Sequence, residues 1–256
     1  MSLSEETLTG GNVAASVVLV TDPVLGATVR KPATPATPTV HALLIHLADV
    51  GFDGAPRSFG IDDQNRHVLE YVPGTMANAM PAMTGAELAR VGALVRDLHD
   101  ATASFVPPPG AVWDVAIPAD RDDLICHHDI APWNLVRDGD RWVIIDWDGA
   151  GPGSRLWDLA YVAHGFVPMH AGGDPAVDGP RLRALVDGYG VSAHLRPELV
   201  QLTADHTRAM YDLLIDGART GAQPWAALHA DGHADHWGPA SEYITRNRAA
   251  FRAALR

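Results

Sequence analysis

The side chains best suited to chemistry lie between positions 126 and 148, in CHHDIAPWNLVRDGDRWVIIDWD. Asp129 follows His127 by two residues, Asn134 follows Asp129 by five, and Asp146 and Asp148 close an apolar run. Asp138 and Gly139 supply a turn, and the apolar flanks 135–136 and 142–145 supply two strands, so the segment reads as a hairpin. A hairpin of that length returns to its starting point, which predicts that Asp129, Asn134 and Asp146 meet at one end of a small sheet. Two carboxylates and an amide form an oxygen-rich cluster suited to a hard divalent cation such as magnesium. Phosphoryl transfer requires those parts, namely a base for the attacking hydroxyl and ligands for the metal that holds nucleotide phosphates.

The elements that must position this cluster read in two blocks. Up to about position 73 the chain is β-rich with one helix. A β-branched run at 13–20 follows Gly10-Gly11, and a short strand at 27–31 ends in Arg30 and Lys31. A glycine turn between strands lets backbone approach a phosphate closely, although a two-glycine motif alone is more often an ordinary hairpin turn. In an alternating strand only one of Arg30 and Lys31 can face inward. Prolines at every third position over 32–38 predict a stiff, extended connector, with Thr39 capping a helix over 40–50. Strands are expected at 58–61 and 67–72, broken by Pro73-Gly74.

From Thr84 onward the pattern is helical. Thr84 and Glu87 have capping-box spacing, and Leu88, Val91, Leu94, Val95 and Leu98 share a face that ends near His99. The stretch 149–153 reads as a loop and 156–166 as a helix. On that helix Asp158 sits between Trp157 and Leu159, where an unpaired charge is costly. It needs a partner such as Arg155, or it ties down the preceding loop. The helix over 199–218 carries acids and bases at three- and four-residue spacing, the mark of a solvated face. His229 and His233 are four apart and could share a helical face as metal ligands, but Gly232 weakens a helix there, so a metal site is the less favoured reading.

Length and composition limit the class of function. The chain has 256 residues, enough for one large domain or two lobes, and 47% hydrophobic content is ordinary for a globular protein. A net charge of -12 lacks the basic footprint of a nucleic-acid binder and fits a cationic partner. The single cysteine, Cys126, allows no internal disulfide and fits a reducing compartment. No signal peptide and no membrane-spanning run is visible. The expectation is a soluble, cytoplasmic protein with no nucleic-acid or membrane partner.

HHDIAPWN followed by VIIDWD resembles the signature of the aminoglycoside phosphotransferase and choline kinase family, whose fold is similar to that of protein kinases. The order of features agrees along nearly the whole chain. The resemblance implies an α+β, two-lobed fold with a small antiparallel β-rich lobe at 1–73 that binds nucleotide. The larger, mainly helical lobe at 74–256 would hold the catalytic and substrate sites. It assigns Asp129 as the base, His127 as the structural histidine of its loop, Asp158 as the carboxylate bracing that loop, and Asn134 and Asp146 as magnesium ligands. Gly10 and Gly11 match the phosphate loop. Arg30 matches the strand cation best, with Lys31 as the alternative. Glu70, Tyr71 and Val72 match the connector whose backbone meets the adenine, so the Glu70 side chain should matter little. The sequence departs from the pattern at three places, the first being the proline-rich connector at 32–38, which replaces any long insertion. The helix over 40–50 lacks the glutamate that orients the strand cation, with His41 near its place, and His128 stands where glycine is common.

The function implied is an ATP- or GTP- and magnesium-dependent kinase acting on a hydroxyl of a small molecule, with an antibiotic such as an aminoglycoside as leading acceptor. Amino alcohols and sugars are the alternative acceptors. A kinase-like protein without transfer activity is a competing class, motivated by the missing glutamate. A third is a hydrolase using His127, His128 and Asp129 on a transition metal.

Overall fold

A computed structural model of the chain describes residues 4–8 and 17–256. The order is β1 (Ser4–Thr7), β2 (Val18–Asp22), β3 (Gly26–Pro32), α1 (Thr37–Asp49), β4 (Ser58–Ile61), β5 (Arg66–Glu70), β6 (Thr75–Met76) and α2 (Gly85–Thr102). Then come β7 (Leu124–Cys126), β8 (Leu135–Asp138), β9 (Arg141–Ile144), β10 (Gly151–Gly153), α3 (Arg155–Phe166) and α4 (Pro175–Tyr189). The chain ends with α5 (Arg196–Thr220), α6 (Trp225–Ala230) and α7 (Ala234–Ala254). An antiparallel sheet in the order β1-β2-β3-β5-β4 is followed by a mainly helical body, the α+β arrangement expected.

Helix α1 closes one face of the sheet. Val40, Leu43, Leu44 and Leu47 recur at helical spacing and are all buried in the main core, where they meet Leu69 of β5. Its start differs from expectation. Thr39 does not cap it: the helix begins at Thr37 with Pro38 in its first turn, where a missing N–H costs nothing. The Thr37 hydroxyl instead accepts from the Thr34 N–H at 2.8 Å, so the extended part of the proline-rich stretch is shorter than predicted.

Helix α2 begins with the predicted capping box and buries Leu88, Val91, Val95 and Leu98. It packs on α4, which sequence patterning does not reveal because Pro175, Pro180 and the glycines at 179 and 188 weaken helix propensity. Gly188, together with Gly92 of α2, explains the packing. A Cβ on Gly92 would collide with the Leu185 carbonyl, and one on Gly188 with Ala89, so the two helices meet backbone to backbone. The 149–153 stretch is also more ordered than predicted, since β10 pairs antiparallel with β7, Gly151 opposite Cys126.

The stretch before β4 and the end of β5 are both tied to the hairpin that carries the 126–148 cluster. The Ile144 N–H donates to the Gly54 carbonyl at 2.9 Å, and Arg141 meets Glu70 through two hydrogen bonds of 2.7 and 3.1 Å. No helix among the described residues is long and apolar enough to cross a membrane.

Candidate active site

The hairpin forms as its residues demand. Leu135 faces Ile144 and Asp138 faces Arg141, with Gly139 in the turn at φ +53°. The ladder runs one step past the strands, because the Ile145 N–H donates to the Asn134 carbonyl at 2.9 Å. That bond sets Asn134 beside the residue preceding Asp146. Asn134 Nδ2 then donates to the Asp129 carboxylate at 2.8 Å and to the Asp129 carbonyl at 2.9 Å. Asp129, Asn134 and Asp146 therefore converge at one end of the β6-β8-β9 sheet.

Asp129 is held from both sides. Tyr161 on α3 donates its hydroxyl to Oδ1 at 2.7 Å while Asn134 occupies Oδ2. Burial pushes its carboxyl up to about 6, with help from the Asp146 charge and against the Tyr161 and Asn134 bonds. Sequence reasoning did not single out Tyr161. The available signal was its spacing: it lies three residues after Asp158 on one helix, hence on a neighbouring face.

Asp158 is fully buried and braces the loop that carries Asp129. Its Oδ1 accepts from the His128 N–H at 2.9 Å and its Oδ2 from the His127 N–H at 3.2 Å. His99 Nε2 adds a third donor at 3.0 Å, with His99 Nδ1 accepting from the Tyr189 hydroxyl at 2.9 Å. Burial opposes the anion, but the hydrogen bond from His99, with the electrostatic field of the surrounding histidine rings, holds it below the usual carboxylate range. The partner is thus His99 and not Arg155, which pairs with Asp100 at 2.7 Å. The loop it secures is 127–128, not the stretch before α3.

His127 is buried against Trp147 and links the loop to the hairpin. Its Nδ1 accepts from the Asp129 N–H at 3.2 Å, and its Nε2 donates to the Ile145 carbonyl at 3.1 Å. Burial depresses its pKa to about 4, against the charges of Asp158 and Asp146. The ring is neutral and both nitrogens are engaged, which leaves none for a transition metal and removes the basis of the hydrolase reading. His128 has φ +67°, a left-handed conformation that suits glycine, and its ring turns to the carbonyls of Gly151 and Pro152 at 3.2 and 3.1 Å. Asp146 is also left-handed, at φ +63°. Two such side-chain-bearing residues flank the base, a concentration of backbone strain typical of functional loops.

The two cations of β3 part company. Arg30 lies against Asp22 at 2.9 Å and Asp62 at 3.2 Å, so the expectation that it serves as the site cation is corrected. Lys31 is the residue that reaches the cluster, with its Nζ 2.9 Å from Asp146 and 2.8 Å from Asp148. Burial works against the ammonium, yet the two carboxylates raise its pKa. Desolvation pushes Asp146 the other way, but the Lys31 charge and bond hold it below the ordinary value. Asp148, left without a role by its sequence, joins the site through Lys31.

The connector residues diverge from expectation in one respect. The Glu70 side chain is engaged, binding Arg141 and accepting from the Arg57 N–H at 3.0 Å. Tyr71 donates its N–H to the Ala27 carbonyl at 3.2 Å, and Val72 packs with Val136 and Val143. Gly10 and Gly11 lie outside the described residues. His229 and His233 fall on either side of a break, since α6 ends at Ala230 and α7 starts at Ala234. The one group of three potential metal ligands among the described residues is His99, Cys126 and Asp158, which is sealed in the core and already hydrogen-bonded.

Comparison with known proteins bears on this geometry. Residues 111–197, which contain Asp129, Asn134, Asp146 and Asp148, match the model of the phosphotransferase enzyme family. A trifolitoxin immunity protein of Rhizobium leguminosarum bv. trifolii is 32% identical over 185 residues, covering 67% of this chain and 70% of the relative. The chain belongs to the phosphotransferase enzyme family. Its activity is accordingly that of a small-molecule kinase.

Solved structures agree on the fold. An amicoumacin kinase in complex with AMP-PNP and Ca2+ superposes with a TM-score of 0.68 at 15% identity, over 94% of this chain and 88% of the other. A choline/ethanolamine kinase family protein from Mesorhizobium loti gives 0.61 at 16% identity, covering 98% and 92%. A microcompartment-associated aminopropanol kinase gives 0.58 at 14% identity, covering 99% and 94%. The two-lobed, kinase-like α+β fold is common to them and to this family member.

Proposed function

We propose that this phosphotransferase moves the γ-phosphate of ATP or GTP, with magnesium, to a hydroxyl of an antibiotic, with aminoglycosides as the leading class. The observation that carries the reading is the convergence of a high-pKa carboxylate, Asp129, with Asn134, Asp146 and the buried cation Lys31. Asp129 is the general base, its carboxylate oriented by Asn134 and Tyr161 to take the proton of the acceptor hydroxyl. A base with a pKa near 6 is ionised at neutral pH yet is a stronger proton acceptor than an ordinary aspartate.

The residues present suit magnesium. Asn134 commits its nitrogen to Asp129 and so has its oxygen available, and the Asp146 side chain is 49% exposed with an ionised carboxylate. Magnesium supplies neutralisation of phosphate charge when bound. Lys31 is the cation for the transferred phosphate, while His127 and Asp158 fix the loop that presents Asp129. The nucleotide-binding lobe is 1–73, with the backbone of 70–72 meeting the adenine, and 74–256 is the catalytic and acceptor lobe. An antimicrobial acceptor is supported by the immunity role in the relative's name, and the net charge of -12 suits a cationic one. A cytoplasmic location is part of the proposal and is supported by the single, free cysteine.

The test is a magnesium-dependent nucleotide-consumption screen, with ATP and GTP in separate arms, over hydroxylated antibiotics, amino alcohols and sugars. Acceptor-dependent consumption by the wild-type chain and its absence in Asp129→Asn are expected. Equal turnover by the two proteins would overturn the assignment of the base. A preference for an amino alcohol or sugar would replace the antibiotic reading and leave the chemistry intact.

A further inference from the structure

Lys31 is 7% exposed, and its charge is balanced in this structure by Asp146 and Asp148. In the function proposed above, on which this inference rests, the Asp146 carboxylate is needed by magnesium. An ammonium buried to that degree has three N–H donors to satisfy, and the loss of Asp146 leaves one of them without its acceptor. Its cross-strand neighbour offers another. Lys31 lies directly opposite His67 in the β3–β5 ladder, so both side chains rise from the same face of the sheet. His67 is 1% exposed, and its Nδ1 is a buried nitrogen with no hydrogen-bond partner.

The other edge of the ring is fully engaged. His67 Nε2 and Ser58 Oγ are 2.7 Å apart, and Ser58 Oγ and His41 Nδ1 on α1 are again 2.7 Å apart. The chain can run in two directions. If Ser58 donated to His67, the imidazole would bear an unpaired Nδ1–H dipole in the field of an ammonium. If His67 Nε2–H donates to Ser58 and Ser58 to His41, Nδ1 is a bare acceptor, which the nearby positive charge favours. Burial, Lys31 and His41 together lower the His67 pKa to about 4, so the ring is neutral.

We propose that His67 is the positioning residue for Lys31: its Nδ1, oriented by the Ser58–His41 chain, accepts from the ammonium in place of Asp146 when that carboxylate serves magnesium, while Asp148 stays paired with Lys31. A neutral relay from α1 thereby does the orienting that no glutamate of α1 can do, since that helix contains none.

The amides separate this role from a structural one. Asn at position 67 can place a polar atom near Nδ1 but cannot reach Ser58, and Gln can keep the Ser58 bond but leaves the Nδ1 position empty. Calorimetric titration with ADP and magnesium should show His67→Asn within about threefold of wild type and His67→Gln weaker by about tenfold, one charged hydrogen bond. The reverse order, or two equal affinities, would overturn the inference. Failure of the wild-type chain to bind ADP with magnesium would overturn the nucleotide reading, and the inference with it. Imidazole 15N shifts of the ligand-free wild type provide a test that needs no variant: an Nε2–H tautomer at His67 is expected, and an Nδ1–H tautomer refutes the proposal.

Discussion

Asp158 on α3 and Asp129 on the loop that Asp158 secures are two carboxylates within one short stretch of space, and burial acts against the charge of each. Asp158 is fully buried and accepts two backbone N–H bonds and one from His99, and these hold it ionised below the usual range. Asp129 is partly exposed and accepts from an amide and a phenol, with Asp146 nearby, and its pKa rises to about 6. The difference lies in the donors, not in the degree of burial. A carboxylate compensated by amides and a histidine holds structure, and one left under-compensated is available to accept a proton.

The largest effect should come from removing the base. Asp129→Asn keeps the shape and the Tyr161 contact, and should lower transfer to the acceptor found in the screen by about a thousandfold, within the range of general base catalysis. The same change should raise stability at pH 7 by about 1 kcal/mol in urea denaturation, because deleting a charge the fold disfavours outweighs turning the new NH2 against the Asn134 donor. A destabilised Asp129→Asn would break the comparison. Asp158→Ala should do the reverse. It strands the N–H groups of His127 and His128 and the His99 ring, at a cost of about 3–5 kcal/mol. A loss below about 1 kcal/mol would mean that the brace is not what holds the loop.

How much of this could be read in the sequence follows from the range of the forces involved. The hairpin and the spacing of Asp129, Asn134 and Asp146 are local, so turn residues and β-branched flanks reveal them. The capping box at Thr84 is local as well. Alternation says that Arg30 and Lys31 face opposite ways, but which one meets the hairpin depends on pairing with β5 and the packing of α1. Asp158 plainly needed a partner, yet His99 lies 59 residues away on α2, and the nearer Arg155 was already committed to Asp100. Helix α4 was hidden by its prolines and glycines, one of which, Gly188, is what lets α2 approach it. Local rules thus give the reactive groups, and tertiary packing gives the groups that tune them.

The two carboxylates should also carry opposite signs of pH dependence. The folded pKa of Asp129, about 6, lies above the ordinary 3.8, so between those values the folded chain binds more protons than the unfolded one. Its contribution to stability is therefore lost as pH rises through that window. Asp158 lies below 3.8, so its contribution is present above that value and is lost as pH falls. Stability of the wild type minus that of Asp129→Asn should decline from about pH 4 to about pH 6 and level off above. Activity should follow the deprotonated base and rise across pH 6 with a one-proton slope. A flat difference curve would show that Asp129 is as well compensated as Asp158.

The smallest effect tests what sets that midpoint. Tyr161→Phe retains a ring parallel to Trp237, 6.2 Å away with a 12° interplanar angle, and removes only the hydroxyl that donates to Asp129. Loss of one hydrogen bond to a carboxylate is about 1 kcal/mol, which raises the pKa of the base by somewhat less than one unit. The midpoint of the pH–activity profile should move up by that amount, with near-normal turnover at pH 8 and a several-fold loss at pH 6. The variant makes Asp129 still less like Asp158, so an unchanged midpoint would assign the tuning to Asn134 and burial alone. A fall in activity equal at both pH values would instead mean that Tyr161 orients the carboxylate without tuning its basicity.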